Sequence, residues 1–183
     1  CVSLATQHVV VVTSQTPSVL IMMDGVTLAT VKTVTLSTAQ GKAANIACDD
    51  SFVYVFLAAT RGLILRFRAT DVVASGSLAP PDFTGDFGAV AVDTTLVHGS
   101  GTLYAQGSSP SSNNYEWLQI RESTFTVSNS STTMDAGSTI ALTVDEQTQY
   151  MYAVQDQNQG EVNIINLRGF FNELYFSLPY ASG

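Results

Sequence analysis

Four times along the chain an apolar strand ends on a small polar residue and is followed by a second strand, a turn and a third strand. The clearest copy runs Ile140-Ala-Leu-Thr-Val-Asp145, then Tyr150-Met-Tyr-Ala-Val154, then Gly160-Glu-Val-Asn-Ile-Ile165. Two others align with it: Ile46-Ala-Cys-Asp49 with Val53–Phe56 and Leu63–Phe67, and Ala89–Asp93 with Leu103–Ala105 and Glu116–Ile120. A degenerate first copy has Leu4-Ala-Thr6, Val9–Val12 and Val19–Met23. The polar anchors Thr6, Asp49, Asp93 and Asp145 are 43, 44 and 52 residues apart. No other feature limits the possible folds as strongly, because a fixed period forces one supersecondary unit to recur and stack on itself.

A period of roughly 40–50 residues holding three or four short strands fits one β-propeller blade per repeat. No window of a dozen residues carries the apolar spacing of an amphipathic helix, and β-branched residues dominate the apolar runs. The expected fold is therefore all-β: about four blades of three to four antiparallel strands, either complete or an arc of a larger propeller. One β-repeat domain, 1–183, is expected, with approximate blades 1–43, 44–86, 87–138 and 139–183. Outer strands are expected over Thr30–Leu36, Val72–Leu78 and Phe125–Val127. The polar stretches Ser108–Asn114 and Ser128–Ser138 read as surface loops. Anchor carboxylates at strand ends have a structural use, accepting N–H bonds from the turn that follows.

The fourth repeat, Leu142–Val154 followed by Gly160–Leu167, resembles the blades of NHL and YVTN-type propellers. Those blades read as an apolar strand, Asp, a short polar stretch, a Tyr-Val-like strand, a Gly turn and a Val-x-Val strand. The match covers about 28 residues well, is fair over the second repeat and poor over the first and third. The resemblance implies protein, glycan or ligand binding, with a minority of lactonase-like and lyase-like enzymes. Fold analogy does not choose among them.

Charge narrows the partners. The net charge is -8 with seven basic residues, so no Lys/Arg stripe exists to track phosphates, and nucleic acid is excluded as a partner. Charged residues are 12% of the chain, about half the usual ~25%. The surface is solvated by hydroxyls and amides, which suits an extracellular or cell-surface location. No run reaches the ~18 apolar residues of a membrane span, and no signal peptide is present, as expected of a mature form or an excised segment. Cys1 and Cys48 form a candidate disulfide; the alternatives are a buried Cys48 thiol with Cys1 incidental, or a lipidated Cys1. Asn129-Ser130-Ser131 is an N-glycosylation acceptor.

Signs of catalysis are sparse. His8 and His98 lie in different repeats without metal-ligand spacing, and no nucleophile elbow or phosphate-binding loop is present. Catalytic residues are thus expected to be none, and cofactors none. Two weaker candidates remain. Carboxylates of Asp49, Asp93 and Asp145, with Asp50 beside the first, could converge on Ca²⁺ in a hydrolase- or lactonase-like propeller. Asn113, Asn114, Tyr115 and Trp117 could present an aromatic and amide surface to a glycan. The expected function is a non-catalytic structural or interaction module that binds protein partners or itself.

Overall fold

The computed structural model describes residues 1–3, 5–58, 62–79, 87–93, 101–108, 115–132, 138–145, 147–156, 161–169 and 171–177. The described strands form four antiparallel sheets of four strands, each an up-and-down meander. Sheet one holds β1 (Val2–Ser3), β2 (His8–Val12), β3 (Val19–Asp24) and β4 (Thr30–Thr35). Sheet two holds β5 (Lys42–Cys48), β6 (Phe52–Ala58), β7 (Leu63–Arg68) and β8 (Ala74–Leu78). Sheet three holds β9 (Phe87–Asp93), β10 (Thr102–Ser108), β11 (Tyr115–Arg121) and β12 (Thr126–Thr132). Sheet four holds β13 (Ser138–Asp145), β14 (Tyr150–Asp156), β15 (Glu161–Asn166) and β16 (Phe171–Ser177). Among the described residues no helix is long and apolar enough to cross a membrane. The chain divides into two compact units, Cys1–Phe87 and Gly88–Gly183.

One hydrogen bond aligns the four sheets. The turn after the first strand and the turn after the third meet at the same end of each sheet. There a backbone N–H of the later turn donates to a carbonyl of the earlier one: Gly25 to Gln7, Ala69 to Ser51, Glu122 to Gly101 and Leu167 to Gln149, at 2.8–3.0 Å. In sheet one the approach is closer than a side chain allows, since a Cβ on Gly25 would lie 2.5 Å from the Gln7 carbonyl oxygen, whereas Ala69, Glu122 and Leu167 hold the equivalent position in the other sheets. Each fourth strand also carries one extra residue against its neighbour: Val31, Ser75, Ser128 and Glu173. The Ser75 and Ser128 hydroxyls donate back to the carbonyls of Arg66 and Gln119.

The closure also sets the turns' backbone. Leu28, Val72 and Phe125 have φ of 56°, 45° and 50° in the turns before the fourth strands, where glycine is the usual occupant. Val72 and Phe125 are buried, and their packing offsets the backbone cost of ~1–3 kcal/mol. Leu28 is exposed and gains no such packing.

Strand alternation decides what each sheet buries. In unit one, Val10 and Val12 of β2 and Leu20 and Met22 of β3 share a face, and they pack on Val53, Val55, Leu57, Leu65 and Phe67 of sheet two. Fully burying each such side chain contributes ~1.5–3 kcal/mol before entropy is charged against it. Ser18, fully buried, reinforces this interface: its carbonyl accepts from Leu36 N–H and its hydroxyl from Ala43 N–H at 2.8 Å. In unit two, Tyr104 and Trp117 of sheet three pack on Met151, Ala153, Ile165 and Leu167 of sheet four.

Two local expectations are corrected. Thr6 lies in the turn between β1 and β2 and ends no strand; the first strand of sheet one is Val2–Ser3. The Ser/Thr/Asn stretch from Ser128 to Thr132 is the body of β12, an outer strand that belongs to no loop.

Candidate functional site

The anchor carboxylates are engaged by their own turns. Asp145 ends β13, and its side chain accepts from the N–H groups of Gln147 and Thr148 and from the Thr148 hydroxyl at 2.7–3.4 Å. Asp24 ends β3 and does the same with Val26, Thr27 and the Thr27 hydroxyl at 2.7–3.0 Å. The shared pattern is Asp-x-x-Thr, with the hydroxyl closing onto the carboxylate. These bonds favour the ionised form, so both carboxyls titrate below the ordinary carboxylate value; for Asp24 the Thr27 N–H is the largest cause, for Asp145 the Thr148 hydroxyl. Asp49 accepts from Ser51 and Phe52 N–H groups and from the buried Tyr54 hydroxyl. Asp50 turns the other way and accepts the Ala5 N–H at 2.9 Å, joining the first turns of sheets one and two.

The carboxylates of Asp49, Asp50 and Asp145 are therefore each engaged by backbone N–H groups of turns. Among the described residues no three His, Cys, Asp or Glu side chains converge as metal ligands. Asp93 ends β9 and the placement of its side chain lies outside the described residues.

The glycan candidates do not come together as a platform. Asn113 and Asn114 lie outside the described residues, as does the side chain of Tyr115 at the start of β11. Trp117 is 1% exposed, between sheets three and four, so neither face of its ring meets solvent. Its indole Nε1 is buried with no hydrogen-bond partner. Asn129 sits in β12 opposite Gln119, beside the bulged Ser128; its side chain is outside the described residues. Cys1 and Cys48 are free thiols, each half-buried at the edge of the core between sheets one and two.

The feature that sequence reasoning missed is a sheet face. Aligned through the closure bond, Val9 and Val11 of sheet one correspond to Val53 and Val55 of sheet two. Ile21 and Met23 likewise correspond to Leu65 and Phe67. In sheet two these four positions are buried against sheet one. In sheet one Val11 is 37% exposed, Val9, Ile21 and Met23 are half-buried, and Val2 on the same face is 55% exposed. Sheet four presents the complementary set. Tyr152, Val154, Val162 and Ile164 are all half-buried and correspond to Val10, Val12, Leu20 and Met22, of which Val10, Leu20 and Met22 are buried and Val12 half-buried. The signal is present in the unbroken apolar runs Val9–Val12 and Val19–Met23, which make both faces of the sheet apolar without saying what covers either one.

No protein-family model matches this chain. No curated protein matches it either. Solved structures do match. The Dos1 propeller superposes with a TM-score of 0.67 at 13% identity, covering 97% of this chain and 46% of that one. BamB from Moraxella catarrhalis gives 0.63 at 16%, over 97% and 52%. A chain of the mitotic checkpoint complex gives 0.71 at 10%, over 100% and 52%. The fold is thus of the β-propeller type. The chain spans about half the length of each structure it matches.

Proposed function

We propose that the chain is a non-catalytic interaction module, extracellular or cell-surface, built from NHL/YVTN-type blades, that binds protein through uncovered blade faces. The observation that carries this reading is the apolar face of sheet one, exposed at positions that sheet two buries. Contiguous apolar surface of this kind is a mark of an interaction site. The occupant is a second copy of the chain, seated through its fourth sheet, because Tyr152, Val154, Val162 and Ile164 repeat the positions that cover sheet two within this chain. Such a contact is heterologous, closing into a ring or extending into a filament according to the rotation between copies.

The finer family resemblance rests on the fourth repeat, whose Asp145-x-x-Thr148 turn leads into Tyr150–Val154. The surface location rests on the low charged fraction. For the glycan alternative, the buried Trp117 offers no stacking surface.

Light scattering after size exclusion, over about a hundredfold concentration range, tests the reading by mass action. Wild type should run as a dimer or larger, and Ile21→Asp, which puts a charge on the uncovered face, should shift it to monomer without changing its circular dichroism. A wild-type chain that stays monomeric throughout, or an Ile21→Asp chain that assembles as wild type does, refutes it.

A further inference from the structure

Cys1 and Cys48 are 47 residues apart in sequence but lie on facing surfaces of one interface. Cys1 exchanges two backbone hydrogen bonds with Val10, its N–H to the Val10 carbonyl and the Val10 N–H to its own carbonyl, both 2.9 Å. Directly paired residues project to the same side of a sheet. Cys1 is therefore on the Val10 face of sheet one, which packs on sheet two. Cys48 is the register partner of Val53, on the face of sheet two that packs on sheet one.

Their levels along the strands also agree. Val2 pairs with Val9 as Cys48 pairs with Val53, and Val9 and Val53 are equivalent under the closure bond. Cys1 is thus one residue from the level of Cys48, an offset of ~3.3 Å along a strand. Both belong to the first strand region of their sheets, and both thiols pack against the same apolar cluster. The Ala5 N–H bond to the Asp50 carboxylate ties the turns just beyond them. Burial pushes the Cys48 thiol from an ordinary 9.0 up to about 11, and the neighbouring Cys1 amino group acts in the opposite direction.

We propose that Cys1 and Cys48 are a disulfide-forming pair that staples sheet one to sheet two at their inner edge. The oxidant is a small-molecule disulfide such as oxidised glutathione. One cysteine thiolate attacks it, forming a mixed disulfide and releasing one glutathione thiolate. The second cysteine thiolate then attacks the protein sulfur of that mixed disulfide, forming the Cys1–Cys48 bond and releasing the second glutathione. The two cysteines lose two protons and two electrons in total, and one glutathione disulfide becomes two glutathione thiols. The thiolate is the attacking species, so the raised Cys48 value makes closure faster as pH rises.

The test uses the whole wild-type chain equilibrated with mixtures of oxidised and reduced glutathione, quenched in acid, alkylated and weighed. The expected product is a monomer lighter by two hydrogens and resistant to alkylation. Non-reducing peptide mapping should join the peptides holding Cys1 and Cys48, and the thermal midpoint should fall when the bond is reduced. Full alkylation in the most oxidising mixture, glutathione adducts that do not resolve, or disulfide-linked dimers would each overturn the pairing. Cys48→Ser adds a control that should melt like reduced wild type and show no redox dependence. Because the readout is covalent and within one chain, it stands or falls separately from self-association.

Discussion

Replacing Trp117 by Ala should destabilise the second unit without exposing any lost binding function. The ring is 1% exposed and touches a cluster drawn from two sheets: Tyr104 beside it, and Met151, Ala153, Ile165 and Leu167 opposite. Truncating a buried aromatic of this kind costs ~3–5 kcal/mol, from lost transfer energy and the cavity left behind. Trp117→Phe should behave differently. It keeps most of the ring and removes an indole N–H that is buried with no partner, and leaving such a group unpaired costs ~1–3 kcal/mol. The smaller ring and the relieved N–H oppose each other, so Phe should fall within ~1 kcal/mol of wild type. Trp117 is the only tryptophan, so its emission reports unfolding in wild type alone, and the variants need circular dichroism in urea. With a slope of ~2 kcal/mol per molar urea, the Ala variant's midpoint should drop by ~2 M. Hydrogen exchange should show the loss in β10, β11, β14 and β15, with β2, β3 and β6 far less affected. A Trp117→Ala chain as stable as wild type would refute the packing argument and return Trp117 to the list of binding residues.

Two further outcomes follow from the turns. Gly25→Ala puts a Cβ 2.5 Å from the Gln7 carbonyl oxygen and strains the bond that closes sheet one, so its thermal midpoint should fall, at a cost of ~1–3 kcal/mol. An unchanged midpoint would show that the closure tolerates displacement. Asp24 and Asp145 titrate below their ordinary value of 3.8 in the folded chain, so their contribution is complete above that value and is lost as pH falls below it through the folded value. Thermal midpoints measured down through this acid range should fall less steeply for the Asp24→Asn/Asp145→Asn double variant than for wild type. Parallel curves would show that the turn bonds do not discriminate between the two protonation states.

What was legible in the sequence is what apolar runs and turn chemistry encode. The second and third strands are legible within one to three residues because they are apolar runs bounded by turns, such as Val9–Val12 and Val19–Met23. The outer strands were harder, because a strand at the edge of a sheet buries little and selects weakly for apolar residues. β12, with Ser128, Ser130, Ser131 and Thr132, has the composition of a loop. The bulge shared by all four sheets left no common residue, falling on Val31, Ser75, Ser128 and Glu173, since an unpaired position constrains the backbone more than the side chain. Gly25 and Gly169 mark two of the turns before the fourth strands, but neither holds a left-handed position. Leu28, Val72 and Phe125 hold the left-handed position, and two of them are kept there by burial that only the folded chain reveals. The carboxylate turns were half legible. The repeat marks Asp145 as an anchor, while Asp24, with the same Asp-x-x-Thr spacing, ends a third strand and falls outside the repeated anchor positions.

A repeat sequence describes each blade as though it had neighbours on both sides. Soluble repeat proteins resolve that at their ends with capping units whose outer face is polar. Sheet one has no such face: Val2, Val9, Val11, Ile21 and Met23 occupy it, the same kinds of residue that sheet two buries at those positions. Sheet four carries Tyr152, Val154, Val162 and Ile164 at the positions by which sheet one packs on sheet two. Charge does not compensate, since the chain is only 12% charged and its polarity lies largely in hydroxyls and amides. An internal pattern is costly on a face that meets water and useful on one that meets another blade. The proposed interaction accordingly rests on apolar residues of sheet one at positions where sheet two shows what a covered face contains.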